Sequence, residues 1–131
     1  MIQIELSQEF QVLPSQNTAL GIIVVPIRTS YNYPDGDIID IFVLPSQKLI
    51  TDFGEVARWL NTVYLSPLSS LPLEQIILEI IPIEILFENQ MLFMKIKNNL
   101  EEDIIFFCKA IQFICQKYPS FPINLNNNKN L

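Results

Sequence analysis

The sequence predicts an α+β fold, and three observations carry that prediction. Apolar residues alternate with period two between about 21 and 51, in short runs punctuated by turn residues. A second pair of apolar runs, 83–87 and 91–96, flanks a polar Glu88-Asn89-Gln90. From about 99 to 118 the apolar residues switch to helical spacing. A chain of 131 residues is one domain by default, long enough to bury a core without disulfide or metal staples.

Taken in order, residues 2–13 fit a short strand (Ile2, Ile4, Leu6) or a helix (Ile2, Leu6, Phe10, Leu13), and Pro14-Ser15-Gln16-Asn17 ends either. The first strand covers 21–29, where Pro26, with no N–H for a ladder, requires an edge or a bulge. Tyr33-Pro34-Asp35-Gly36-Asp37 is turn chemistry. The next strand, 37–44, sets Ile39, Ile41 and Val43 on one face and Ile38, Asp40 and Phe42 on the other. Pro45-Ser46-Gln47 turns into a third strand, 48–51, which completes an antiparallel meander.

Asp52 and Glu55 have capping-box spacing at the start of a helix carrying Val56, Leu60, Val63 and Tyr64, with Trp59 beside them. Ala at 52 would then cost about 0.5–2 kcal/mol, and Ser or Asn, each able to accept the capping bond, would recover most of it. Ser70 caps a second helix, about 71–81, which Pro82 stops. The later hairpin follows, and Asn98 or Asn99 caps the last helix, with three acids in its first turn and Lys109 and Lys117 beyond. The domain spans 1–123, and the Asn-rich stretch 124–131 reads as a disordered tail.

Composition narrows the function. Half the chain is apolar, only 17% is charged, and the net charge is −6. Acidity disfavours phosphate backbones, no run approaches the length of a membrane span, and no secretory leader pattern opens the sequence. Cys108 and Cys115 lie two helical turns apart, about 10 Å by helical rise, too far to bridge. Reduced thiols in a cytoplasmic protein are the simplest reading.

Histidine is absent, so the commonest general base and the histidine-dependent relays are excluded. The three glycines are too far apart for a phosphate loop, and no Lys follows an acid at the acid-x-Lys spacing of metal-dependent nucleases. No cofactor is implied. A carboxylate set remains: Asp35, Asp37, Asp40, Asp52 and Glu55. If the second and third strands pair, Asp37 and Asp52 are candidate neighbours for Mg²⁺ or Mn²⁺ and hence for phosphoester hydrolysis. Arg28 and Arg58 are candidate partners for these acids. Each acid equally has a structural role: Asp35 and Asp37 in the turn, Asp52 and Glu55 in the cap, Asp40 as a solvated strand residue. An acidic inhibitor that imitates nucleic acid is a third reading, for which 17% charge is low.

Three segments have a familiar order: Ile27-Arg28-Thr29; Asp35-Gly36-Asp37-Ile38-Ile39-Asp40-Ile41-Phe42-Val43; and Leu49-Ile50-Thr51-Asp52-Phe53-Gly54-Glu55. This order resembles the bacterial and phage family catalogued as "domain of unknown function 1828". Its members show a strand, a turn ending in Asp, an apolar strand, and a Leu-Thr-Asp-x-Gly turn into a helix. The resemblance covers about 25–120 and implies a prokaryotic or mobile-element setting. It implies no activity, because the family has none assigned.

The last helix points to a partner. Ile104, Cys108, Ile111, Cys115 and Tyr118 form one stripe, while Phe106 and Phe113 fall nearly opposite with Ala110 near them. Such a helix is either sandwiched in a core or shared with a second molecule. The reading favoured by this sequence is a non-enzymatic interaction or regulatory module, a homodimer or a binder of another protein, with Phe106, Ala110 and Phe113 at the interface.

Overall fold

The computed structural model describes residues 4–63, 73–97 and 99–118. In chain order these form β1 (Gln11–Val12), β2 (Gln16–Asn17), β3 (Ile23–Asn32), β4 (Ile38–Leu44), β5 (Leu49–Thr51), α1 (Glu55–Val63), α2 (Leu73–Ile80), β6 (Ile85–Glu88), β7 (Met91–Lys95) and α3 (Leu100–Lys117). The α+β class, the meander, the later hairpin and the three helices are as the sequence predicts. Tyr64, the Ser70 cap and the tail 124–131 lie outside the described residues.

All strand pairs are antiparallel, in the order β1-β3-β4-β5-β7-β6, with β2 also beside β3. The meander β3-β4-β5 is local. The hairpin, which follows two helices, returns to place β7 against β5. One rung runs across five strands: Val25, Val43, Ile50, Met94 and Ile85 are successive partners, and all are buried. Alternation puts the neighbouring rung, Pro26, Phe42, Thr51, Phe93 and Leu86, on the opposite face. The first rung joins Val56, Ala57 and Leu60 of α1, Ile76, Ile77 and Ile80 of α2 and the inner side of α3 in one core.

Pro26 sits in an interior strand but opposite a bulge. β1 pairs with β3 at Arg28 and Ile27, β2 pairs with it at Val24 and Ile23, and three residues bow out between them. The Pro26 carbonyl accepts the Leu13 N–H at 3.0 Å, so the side of β3 that lacks a donor faces the gap in the ladder. The described part of 2–13 is neither the short strand expected around Ile4 and Leu6 nor the helix, since only Gln11 and Val12 pair.

The hairpin turns without glycine. Asn89 and Gln90 both take positive φ, 52° and 66°, as a two-residue turn matched to strand twist requires, and Asn tolerates this region well. In α3, Asn99 is the cap, its side chain accepting the Glu102 N–H at 3.1 Å. The buried side of α3 is wider than the predicted stripe, adding Phe107, Ala110 and Ile114.

Ala110 is therefore a correction. It is core, only 6% exposed, and does not line an outer surface with Phe106 and Phe113, which are 38% and 45% exposed. Four residues past Phe106 the helix has turned about 40° towards the sheet, enough to carry a small side chain under cover.

Both cysteines are free and buried in α3. Burial pushes each thiol up to about 12, far above working pH, so the nucleophilic thiolate is scarce. A disulfide-exchange reagent at pH 8 should titrate neither thiol in the native protein within minutes, and both at once in denaturant.

Candidate functional site

The motif Thr51-Asp52-Phe53-Gly54 closes the meander and opens α1. Thr51 Oγ1 donates to the Leu92 carbonyl at 2.7 Å and accepts the Phe53 N–H at 3.2 Å. Phe53 and Gly54 then take positive φ, 50° and 83°. Gly54 is needed for its conformation, since at φ 83° a side chain is strained, whereas a Cβ there would make only an ordinary contact, 3.4 Å from the Gln90 carbonyl oxygen.

Asp52 is fully buried. Its Oδ1 accepts the N–H groups of Gly54 and Leu92, and its Oδ2 that of Val56, each at 2.9 Å. The carboxylate thus caps α1 and pins β7 at once. Burial raises its pKa above the usual carboxylate value, and the three N–H donors oppose that rise. The reciprocal half of the predicted capping box is not formed. The Asp52 N–H goes to the Leu92 carbonyl at 3.4 Å, and Glu55 instead meets Arg58 at 2.8 Å, one helical turn on.

The register also separates Asp37 from Asp52. Phe42 pairs with Thr51, so Asp52 falls level with about residue 41, whereas Asp37 lies four residues further out, roughly 13 Å along the strand. Asp52 faces backbone donors and Asp37 is exposed. Among the described residues no group of three or more His, Cys, Asp or Glu is gathered to hold a metal ion.

The remaining candidates converge at one corner, where the β3–β4 turn meets α1. Asp35 Oδ1 accepts the Asp37 N–H at 3.1 Å, closing the turn, and its Oδ2 accepts the Trp59 indole N–H at 3.1 Å. Tyr33 stacks on Trp59, ring centroids 5.2 Å apart and planes 13° from parallel. Arg28 pairs with Asp40 at 3.3 Å across β3 and β4, not with an acid near Asp52. Between turn and helix lies a hollow of about 400 Å³, lined by Tyr33, Asp37, Ile38, Glu55, Arg58, Trp59 and Thr62. A smaller hollow, about 130 Å³, shares Tyr33, Ile38 and Glu55 and adds Asp40 and Phe42.

Tyr33 and Trp59 are the functional-looking residues that sequence reasoning passed over. Tyr33 resembles any residue before a turn, and Trp59 any bulky residue beside a helix stripe. The one available signal was that Trp59 is the chain's sole tryptophan.

A carboxylate with three backbone partners on two elements is more than a helix cap. Asp52→Ala should cost roughly 3–5 kcal/mol in urea unfolding, since it strands buried N–H groups at about 1–3 kcal/mol each. Asp52→Asn should recover less than half, because an amide nitrogen must then face one of the donors, and serine cannot span the set. The raised folded pKa makes the proton-linked part of Asp52's contribution complete below the unfolded value and lost as pH rises through the folded one. The stability gap between wild type and Asp52→Asn should therefore widen on acidification.

Searches with this chain against protein-family models, curated proteins and solved structures found no match.

Proposed function

We propose that this chain is a non-enzymatic interaction module that pairs with a second copy of itself through α3, in the prokaryotic or phage-derived setting that the resemblance implies. The observation that carries the reading is the outer stripe of α3. Glu102, Phe106, Lys109, Phe113 and Lys117 fall within about 80° of one another on the helix, and all are exposed.

This stripe is self-complementary. An antiparallel pairing about the midpoint between residues 109 and 110 sets Phe106 against the second copy's Phe113. The same operation sets Glu102 against its Lys117. A two-fold contact reuses one patch on both partners, which is the commonest arrangement among homo-oligomers. Phe106 also borders a hollow of about 180 Å³ with Met94, Glu84 and Lys97. Glu84, Met94 and Lys97 border a second hollow of about 220 Å³ as well, beside exposed Ile83 and Leu86. The apolar area available beside α3 therefore extends onto the β6–β7 hairpin.

The acids support a binding role over hydrolysis. Asp52 is committed to backbone donors and Asp35 to the turn and Trp59, while Asp40 and Glu55 pair with Arg28 and Arg58 near the surface. The self-pairing is tested by light scattering at micromolar concentration, where a dimer is expected. Phe106→Gln with Phe113→Gln should give a monomer with unchanged circular dichroism, because both rings lie outside the core. A monomeric wild type under these conditions refutes self-pairing.

A further inference from the structure

The hollow between the β3–β4 turn and α1 has the chemistry of a cation site, and it lies on a different part of the molecule from the α3 stripe. We propose that it binds a guanidinium group, the planar cation carried by an arginine side chain.

Two features of the wall fit that group. The first is aromatic: Tyr33 and Trp59 stack at 5.2 Å and both border the space. Ring faces attract cations, and a planar guanidinium stacks on them where an ammonium only perches. The second is anionic. Asp37 and Glu55 border the same space from the turn and from the first turn of α1. The Asp37 backbone is held by the turn, through Asp35 Oδ1 and the Tyr33 N–H, yet its carboxylate has no hydrogen-bond or ion-pair partner among the described residues. A carboxylate fixed at its backbone and free at its oxygens is prepared for a forked donor.

The hollow also contains a stand-in for its ligand. Arg58 borders it and holds Glu55 at 2.8 Å, while its own side chain is 65% exposed. An exposed pair one helical turn apart is weak and easily exchanged. An incoming guanidinium can take over the Glu55 carboxylate and release Arg58 to water. Arg58 is thus a competitor at the site, which fixes the sign of its mutation. The net charge of −6 further favours the approach of basic ligands.

Trp59, the sole tryptophan, reports on the site directly by its emission. The full chain is titrated with a blocked Gly-Arg-Gly peptide, with methylguanidine and with a blocked Gly-Glu-Gly peptide, by fluorescence and calorimetry at low salt. The arginine peptide should shift Trp59 emission and release heat with saturation, and the glutamate peptide should do neither. Asp37→Asn and Glu55→Gln should each weaken binding about tenfold, and Arg58→Gln should strengthen it several-fold. All three positions are on the surface, and circular dichroism should confirm that each variant folds. A peptide that binds more tightly than methylguanidine assigns the site to a protein side chain. Equal affinities support the same site and assign it to free cations. No saturable signal up to millimolar peptide and methylguanidine, or an affinity indifferent to Asp37 and Glu55, overturns the proposal. The α3 pairing is read by mass in solution, so the two proposals fail separately.

Discussion

Asp52 accepts hydrogen bonds from Gly54 and Val56 at the start of α1 and from Leu92 in β7. Without those bonds the helix start and a strand forty residues later have no shared anchor. The surrounding sequence serves this one carboxylate. Thr51 ties β5 to the same Leu92 carbonyl, and Phe53 and Gly54 adopt positive φ so the chain can reverse. A buried acid is expensive unless it is well supplied with donors, and here the backbone supplies them. The Thr51-Asp52-Phe53-Gly54 motif is therefore a structural joint, and chemistry has to be sought beside it.

Beside it, the fold sorts its residues by rung. The rung from Val25 to Ile85 faces the helices and closes the core. Its neighbour, from Pro26 to Leu86, faces the other way and holds Phe42 against Phe53 at 4.8 Å. Leu86 at its end is half exposed. An oily composition thus does two jobs. Most of it fills the core, and the surplus sits on the outer rung, the hairpin and the outer side of α3. The charged residues near the β3–β4 turn pair across short distances, Arg28 with Asp40 and Arg58 with Glu55, which leaves Asp37 as the unspent acid of that corner.

What could be read from the sequence was whatever depends on neighbours along the chain. Ile39, Ile41 and Val43 share a face because strands alternate, and Asn99 caps α3 because the cap needs only the next three residues. The two cysteines are buried because they lie on the predicted stripe. What escaped depends on distant residues. Nothing near Asp52 announces Leu92, so its second role was invisible and its capping partner was misassigned to Glu55. Nothing near Tyr33 announces Trp59. Ala110 was misread because a projection of α3 gives angles but not the extent of cover from the sheet. The supposed proximity of Asp37 and Asp52 failed on register: β5 is three residues long and β4 seven, so the ends that looked level are offset.

The sheet order ends on β6, among the described residues, and this has a consequence for solubility. An outermost strand offers unpaired backbone groups to any extended chain in solution, and β6 adds an exposed Leu86 to that invitation. It is only four residues long, and exposed acids, Glu84 and Glu88, stand at its two ends. Their negative charges repel a second acidic chain laid alongside the strand and so guard against indiscriminate stacking. Near the isoelectric point of about 4.5 the net charge that keeps molecules apart is gone, and the chain is most exposed to aggregation there.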